Sequence, residues 1–115
     1  MTLKELANEL AERTAASLAA EGATIEVTPI LTKKELATHG REMDTGNIAL
    51  RVFIEINADL PAELGSMELF PTVSKKQLKR DIDSVLASVV RLVASATQYR
   101  SEMIGRALAR METAV

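Results

Sequence analysis

Residues 47–57, NIALRVFIEIN, decide the fold of this chain. Aliphatic side chains occupy every second position of the stretch, namely Ile48, Leu50, Val52, Ile54 and Ile56. Successive side chains of a β-strand point to opposite faces, so this alternation predicts a strand with one face packed on helices and the other mostly exposed to water. The strand therefore needs helices elsewhere in the chain to cover its apolar face.

Helical patterns precede and follow this strand. Residues 3–21 carry apolar side chains at three- and four-residue steps behind a capping box formed by Thr2 and Glu5, and Gly22 is the expected left-handed stop. A second pattern opens at a capping box formed by Ser74 and Gln77 and meets no proline before residue 115. The two patterns predict an N-terminal helix and a long C-terminal helix.

Shorter signals fill the interval between the helices. Residues 23–31 alternate as a strand that ends near Pro29, and residues 67–70 predict a short third strand after a loop at 62–66. The capping pattern of Thr32 and Glu35 predicts either a short helical turn or a long hairpin connection. The fold class is therefore α+β, a single domain over residues 1–115. It consists of a two- or three-stranded antiparallel meander flanked by the two helices, in α–β–β–(β)–α order.

The C-terminal pattern is too long to be covered by its own chain. Some 40 residues of helix span about 60 Å, whereas a domain of this size has a radius of gyration of roughly 13 Å. Either the helix breaks around residues 95–97 or at Gly105, or residues 98–115 form an extension that packs on another copy. We expect a homo-oligomer, a dimer or higher. The candidate oligomer seam comprises Val89, Leu92, Ala96, Tyr99, Met103, Ala107 and Met111. A groove for a client peptide is the alternative use of the same side chains.

The composition argues against most catalytic and metal chemistry. The 115 residues include no cysteine and one histidine, so thiolate catalysis, disulfides and cysteine-ligated zinc or iron–sulfur clusters are excluded. His39 is followed by Glu42 and Asp44, which together offer metal-binding side chains, but a surface loop is the favoured interpretation. We expect no enzymatic activity, no cofactor and no metal.

The expected location follows from the same composition. No apolar run approaches the roughly 20 residues of a membrane span. The N-terminal residues 1–5 are charged and amphipathic, unlike a signal peptide. With cysteine absent as well, we expect a cytoplasmic protein without a membrane partner.

Charge is distributed unevenly along the chain. Residues 1–73 carry 6 basic and 12 acidic side chains, whereas residues 74–115 carry 8 basic and 4 acidic ones. The basic residues at the start of the last helical pattern are candidate contacts for a phosphate or a nucleic acid, together with one arginine further along: Lys75, Lys76, Lys79, Arg80 and Arg91. A solvated basic turn, partly neutralised by Asp81 and Asp83, is the alternative interpretation.

Residues 74–79, SKKQLK, resemble the lysine-rich start of the second helix in double-stranded-RNA-binding domains. The order of elements in that family is also α–β–β–β–α, and the resemblance implies a contact with an RNA backbone. It covers about six residues, while the first strand lacks the family's aromatic pattern and the last helix is far longer.

The preferred hypothesis is a non-catalytic oligomeric interaction or assembly protein that binds another protein through helical surfaces. The alternative is a nucleic-acid-binding module that uses the basic residues.

Overall fold

The computed structural model describes residues 1–19 and 24–113. Along the chain they form α1 (Leu3–Ala19), β1 (Thr24–Ile30), α2 (Lys33–Ala37), β2 (Asn47–Glu55), α3 (Ala62–Gly65), β3 (Ser66–Leu69), β4 (Thr72–Ser74), α4 (Lys75–Arg80) and α5 (Ile82–Thr113). This order confirms the predicted α+β class, with an N-terminal helix, an antiparallel sheet and a long C-terminal helix. The expected stop at Gly22 lies outside the described residues.

Strand β2 occupies the centre of the sheet. On one edge it pairs antiparallel with β1 over the full length of β1, and on the other edge it pairs with both β3 and β4. The pairs Val52↔Leu69 and Ala49↔Thr72 lie in one register, so β3 and β4 are two parts of a single edge strand. Pro71 has no N–H and separates them, while its carbonyl oxygen accepts a hydrogen bond from the Leu50 N–H at 3.0 Å. The predicted third strand is thus present and extends further than expected.

The apolar face of β2 forms the main core with the helices. The alternating aliphatic residues from Ile48 to Ile54 are at most 1% exposed and pack with Leu10 of α1 and Val93 of α5. This confirms the helix-covered face that the alternation predicts. Thr14 is also buried there, and its hydroxyl donates to the Leu10 carbonyl oxygen at 2.7 Å.

The opposite face of β2 is partly covered as well, which the sequence analysis did not predict. Ala49 is fully buried in a second, smaller cluster with Ile30, Leu36 and Met43, and Phe70 packs against it. Helix α2 and residues 38–46 fold back over this end of the sheet. The short side chain of Ala49 leaves room for Leu36 and Met43, and the burial of these two residues provides the driving force.

The helical region after β4 breaks at a different place from the one predicted. The expected break near residues 95–97 or at Gly105 is wrong, because α5 is continuous from residue 82 to 113. The break lies at Asp81, whose φ and ψ are −157° and 88°. Its side-chain oxygen accepts a hydrogen bond from the Ser84 N–H at 3.2 Å and so caps α5. This change of direction places both Leu78 of α4 and Val85 of α5 in the main core.

The loop expected at residues 62–66 contains the helical turn α3, which packs closely against the end of β2. The Gly65 carbonyl oxygen accepts hydrogen bonds from the N–H groups of Ile56 at 2.7 Å and Asn57 at 2.9 Å. A Cβ at residue 65 would overlap the Asn57 carbonyl oxygen. Glycine is therefore needed where α3 meets the sheet.

Helix α5 makes the molecule elongated. Its 32 residues span about 48 Å, and the molecule measures 57 × 29 × 16 Å. Among the described side chains of α5, none beyond Val93 is buried. Within residues 1–19 and 24–113, no helix has the length and apolar character that crossing a membrane requires.

Candidate functional site

The candidate site is built on one apolar face of α5 and on the grooves beside this helix. We call the predicted seam residues from Val89 to Met111 the α5 stripe. Val89 is 4% exposed and belongs to the subunit's own core. The larger side chains that follow are exposed: Leu92 by 52%, Tyr99 by 66%, Met103 by 39% and Met111 by 67%. The stripe thus begins inside the subunit and continues outside it.

The two alanines of the stripe separate its larger side chains. Ala96 is half-buried and Ala107 is exposed. The steps from Val89 to Met103 alternate between three and four residues, which is the spacing of a seam between packed helices. Small residues between large ones leave recesses that side chains of a neighbouring helix can enter.

A distal groove lies where the outer half of α5 passes α3. It has a volume of about 310 Å³, and its apolar lining includes Leu60, Leu64, Ile104 and Leu108. The Arg100 guanidinium donates to the carbonyl oxygens of residues 63 and 64 at 3.4 Å, which ties α5 to α3. These four apolar residues were not predicted from the sequence, because Leu64 lies in a predicted loop and because α3 meets α5 only in the folded chain.

A proximal groove lies between the first half of α5 and the edge strand formed by β3 and β4. It has a volume of about 520 Å³. Residues 69–74 form one wall, and Val85, Ser88, Val89 and Leu92 form the other. No lining side chain is ionisable, so this groove suits an apolar occupant. Leu92 belongs both to this groove and to the α5 stripe, which makes the two surfaces continuous.

The whole chain exposes more surface than a compact monomer of the same mass would. A compact monomer of 12.5 kDa exposes about 6,200 Å². This chain exposes 7423 Å², which is about 1,200 Å² more than that scaling gives. Its radius of gyration is 15.9 Å, compared with roughly 13 Å for a compact domain of 115 residues.

The predicted basic residues lie on two separate helices. The six-residue helix α4 contains Lys75, Lys76, Lys79 and Arg80. Arg91 lies on α5, about 14 Å along the helix axis from the first residue of α5. The Gln77 N–H is already capped by the Ser74 hydroxyl at 3.3 Å. Basic residues at the start of the last helix were expected, and the structure corrects this arrangement because α4 is a separate element.

The two acidic residues that follow α4, Asp81 and Asp83, interact with residues outside α4. Asp81 caps α5, and Asp83 forms an ion pair with Arg13 of α1 at 2.6 Å. None of the five predicted basic contacts forms an ion pair with a side chain in the described part of the chain. The positive charge of α4 is therefore not neutralised by the nearest acidic residues in sequence.

His39 lies on the surface with its ring against Phe70. The ring centroids are 5.1 Å apart, and the Arg41 guanidinium lies 5.2 Å from the Phe70 centroid. The side chains of Glu42 and Asp44 do not join His39 in a metal-binding group, and the described residues contain no cluster of three or more potential metal ligands. His39 is exposed, as the surface-loop interpretation predicts. Its ring contacts Phe70, which packs against the second cluster.

The structure brings together the α5 stripe and two grooves that the sequence did not predict, and it leaves the basic residues on two helices. No protein-family model, curated protein or solved structure matches this chain.

Proposed function

We propose that this protein is a non-catalytic interaction protein that assembles into a homo-oligomer through the α5 stripe. The observation that carries the proposal is the row of exposed Leu92, Tyr99, Met103 and Met111 side chains along α5. The cysteine-free sequence favours the reducing cytoplasm as the place where it works.

Hydrophobic burial supplies the driving force for this assembly. Full burial of a large apolar side chain stabilises an interface by about 1.5–3 kcal/mol. A stable interface of standard size buries about 800 Å² on each partner, which is less than the excess surface of about 1,200 Å² that this chain exposes. The excess exposed by the whole chain is therefore larger than one partner's share of such an interface.

A second copy of the chain is the simplest partner for this surface. Most soluble homo-oligomers are closed and symmetric, and twofold dimers are the most common. The stripe has the alternating spacing of a helix–helix seam, and an identical stripe on another copy would match its length. A mutual contact would cover both stripes at once.

A pair of matched lysine variants tests this proposal. Met103→Lys introduces a charge into the stripe, whereas Ser101→Lys introduces the same charge on the opposite side of α5, at an exposed residue. We expect the Met103→Lys variant to weaken self-association by at least about tenfold, because a buried lysine without a partner costs more than 1.4 kcal/mol. Sedimentation velocity over a range of protein concentrations measures the change.

The Ser101→Lys variant should sediment like the unchanged protein. Equal self-association of both variants would contradict the assignment of the interface to the stripe. A monomeric unchanged protein would contradict the proposal as a whole. Far-UV circular dichroism verifies that each variant retains its helices.

A second candidate function is nucleic-acid binding by α4. The observation that favours it is the engagement of Asp81 and Asp83 in a helix cap and an ion pair, which leaves the α4 basic residues without nearby neutralisation. Phosphate groups would provide the missing negative charge. In this candidate, Lys75, Lys76, Lys79, Arg80 and Arg91 contact the backbone of RNA or DNA.

A salt titration distinguishes this candidate from a solvated basic surface. If α4 binds phosphate, Lys79→Glu should weaken binding of duplex RNA or duplex DNA and reduce the dependence of log affinity on log salt by about 0.9. The same change at Lys4, an exposed residue of α1, serves as the control. Fluorescence anisotropy measures both. No binding at low salt, or equal effects of the two variants, would contradict the candidate.

A further inference from the structure

We propose that the partner on the α5 stripe is the α5 helix of a second copy in antiparallel orientation, and that its distal end occupies the proximal groove. This inference rests on the proposed function and assigns an occupant to the groove. The groove and the stripe share Leu92, so a helix lying along the stripe toward the start of α5 enters the groove.

The antiparallel orientation covers surface that a parallel pair leaves exposed. The proximal groove lies near the start of α5, whereas the uncovered end of the stripe lies near Met111. Parallel helices would bring two distal ends together and leave both grooves empty. Antiparallel helices bring each distal end to the other copy's groove, so one contact covers both apolar surfaces.

The sizes of the side chains select one register for the pair. With the twofold axis at the peptide between Tyr99 and Arg100, Met103 lies opposite Ala96 of the second copy, and Leu92 lies opposite Ala107 of the second copy. Each large side chain then meets a small one, which allows the two helices to pack closely. Ala96 and Ala107 are 11 residues apart, as are Leu92 and Met103. Both alanines therefore face large residues of the stripe in this register.

This register delivers Met111 to the groove. Met111 lies opposite Ser88, which lines the groove together with Val85 and Val89. Methionine is unbranched and flexible, and it adapts to an irregular apolar surface such as this one. Arg100, which is next to the axis, donates to carbonyl oxygens of its own α3, and this contact holds its guanidinium to one side.

Single-cysteine chains test orientation and register directly, because the protein contains no cysteine of its own. Two full-length chains, one with Ala96→Cys and the other with Met103→Cys, are co-expressed with a tag on one of them and then oxidised. The proposed pair places residues 96 and 103 opposite each other. Two copies of the same variant hold their cysteines about 10.5 Å apart along the axis, beyond the roughly 7 Å limit for Cα atoms joined by a disulfide.

We expect the mixed disulfide to exceed each same-residue disulfide by about tenfold on a non-reducing gel. A second pair of chains, with Leu92→Cys and Ala107→Cys, provides an independent measurement and should give the same result. Same-residue disulfides in a protein that is dimeric by light scattering would overturn the antiparallel arrangement and leave the proposed function intact. A dimer without either disulfide would also overturn the arrangement. A monomer would overturn both proposals and leave the helix of a different protein as the occupant.

Discussion

At the scale of single residues, Gly65 has less room for a side chain than any other glycine in the described part of the chain. Its carbonyl oxygen accepts two hydrogen bonds from the end of β2, and a Cβ there would overlap the Asn57 carbonyl oxygen. The overlapping atom belongs to the main chain, so the clash cannot be relieved by rotating a flexible side chain. The residue therefore fixes α3, and with it the wall of the distal groove that contains Leu60 and Leu64.

We expect Gly65→Ala to lower the free energy of unfolding by about 2 kcal/mol, which is typical of overpacking at a tightly packed position. Urea denaturation measures the loss. Gly46→Ala is the matched control, because a Cβ at residue 46 would meet no atom within 4 Å, and its effect should stay within about 0.5 kcal/mol. Equal losses for the two variants would contradict the close approach of Gly65 to β2.

The predicted capping box at the start of α1 makes stability depend on pH. The Thr2 N–H donates to the Glu5 carboxylate at 3.2 Å, and the Glu5 N–H donates to the Thr2 hydroxyl at 3.1 Å. The hydrogen bond from the Thr2 main chain, followed by the bond with its hydroxyl, lowers the pKa of Glu5 below its usual 4.5. The ionised form is therefore favoured in the folded state.

The stabilisation by ionised Glu5 should be complete above about pH 4.5 and lost as the pH falls through the lower folded-state pKa. We therefore expect Glu5→Gln to be less stable than the unchanged protein at pH 7, with a difference that shrinks toward about pH 3. Urea denaturation at the two pH values measures this change. A difference that is independent of pH would contradict the role of the carboxylate.

At the scale of secondary-structure elements, Asp81 sets the geometry of the last two helices. Its side chain caps α5, and its backbone redirects the chain between α4 and α5. We expect Asp81→Ala to destabilise the protein by about 1 kcal/mol, because the Ser84 N–H loses its acceptor. Thermal unfolding measures the effect.

Asp81→Asn should preserve most of the stability, since asparagine is an equally good helix cap. If the alanine and asparagine variants unfold at the same temperature, the side-chain cap is not what stabilises this break.

The elements that the sequence predicted are those with strong local patterns. The alternation at residues 47–57 predicted β2. The capping box at Thr2 is confirmed by both of its hydrogen bonds, and the predicted N-caps Thr32 and Ser74 accept hydrogen bonds of 3.1 and 3.3 Å. These signals depend on neighbours within four residues, so they can be identified without knowledge of the tertiary structure.

The elements that the sequence did not predict depend on contacts between distant residues. Strand β4 follows Pro71 and exists because β2 offers the same edge that β3 uses. The break at Asp81 allows Leu78 and Val85 to enter one core. Helical periodicity alone does not distinguish these residues from those of a continuous helix.

Only part of the candidate site was predictable from the sequence, because only part of it follows from a local pattern. The three- and four-residue steps identified the stripe, but they did not indicate that the sheet covers Val89 while Leu92 and Tyr99 are exposed. The grooves arise where α5 passes the edge strand and α3, and these neighbours are distant in sequence. Periodicity identifies an apolar face, whereas only the fold identifies what covers it.

At the scale of the whole molecule, the main feature is the difference between its two ends. One end is a sheet with an apolar core under α1 and the first half of α5, and the other end is the outer half of α5 with no buried side chain among its described residues. The chain exposes about 1,200 Å² more than a compact monomer of its mass.

The molar mass of the unchanged protein in solution, measured by light scattering after size-exclusion chromatography, tests this account most directly. We expect twice the chain mass of 12.5 kDa, or a higher whole multiple, at protein concentrations of about 10 µM, since contact with a second copy would bury the exposed apolar side chains of the stripe. A mass of 12.5 kDa that persists at tenfold and hundredfold higher concentrations would contradict the account.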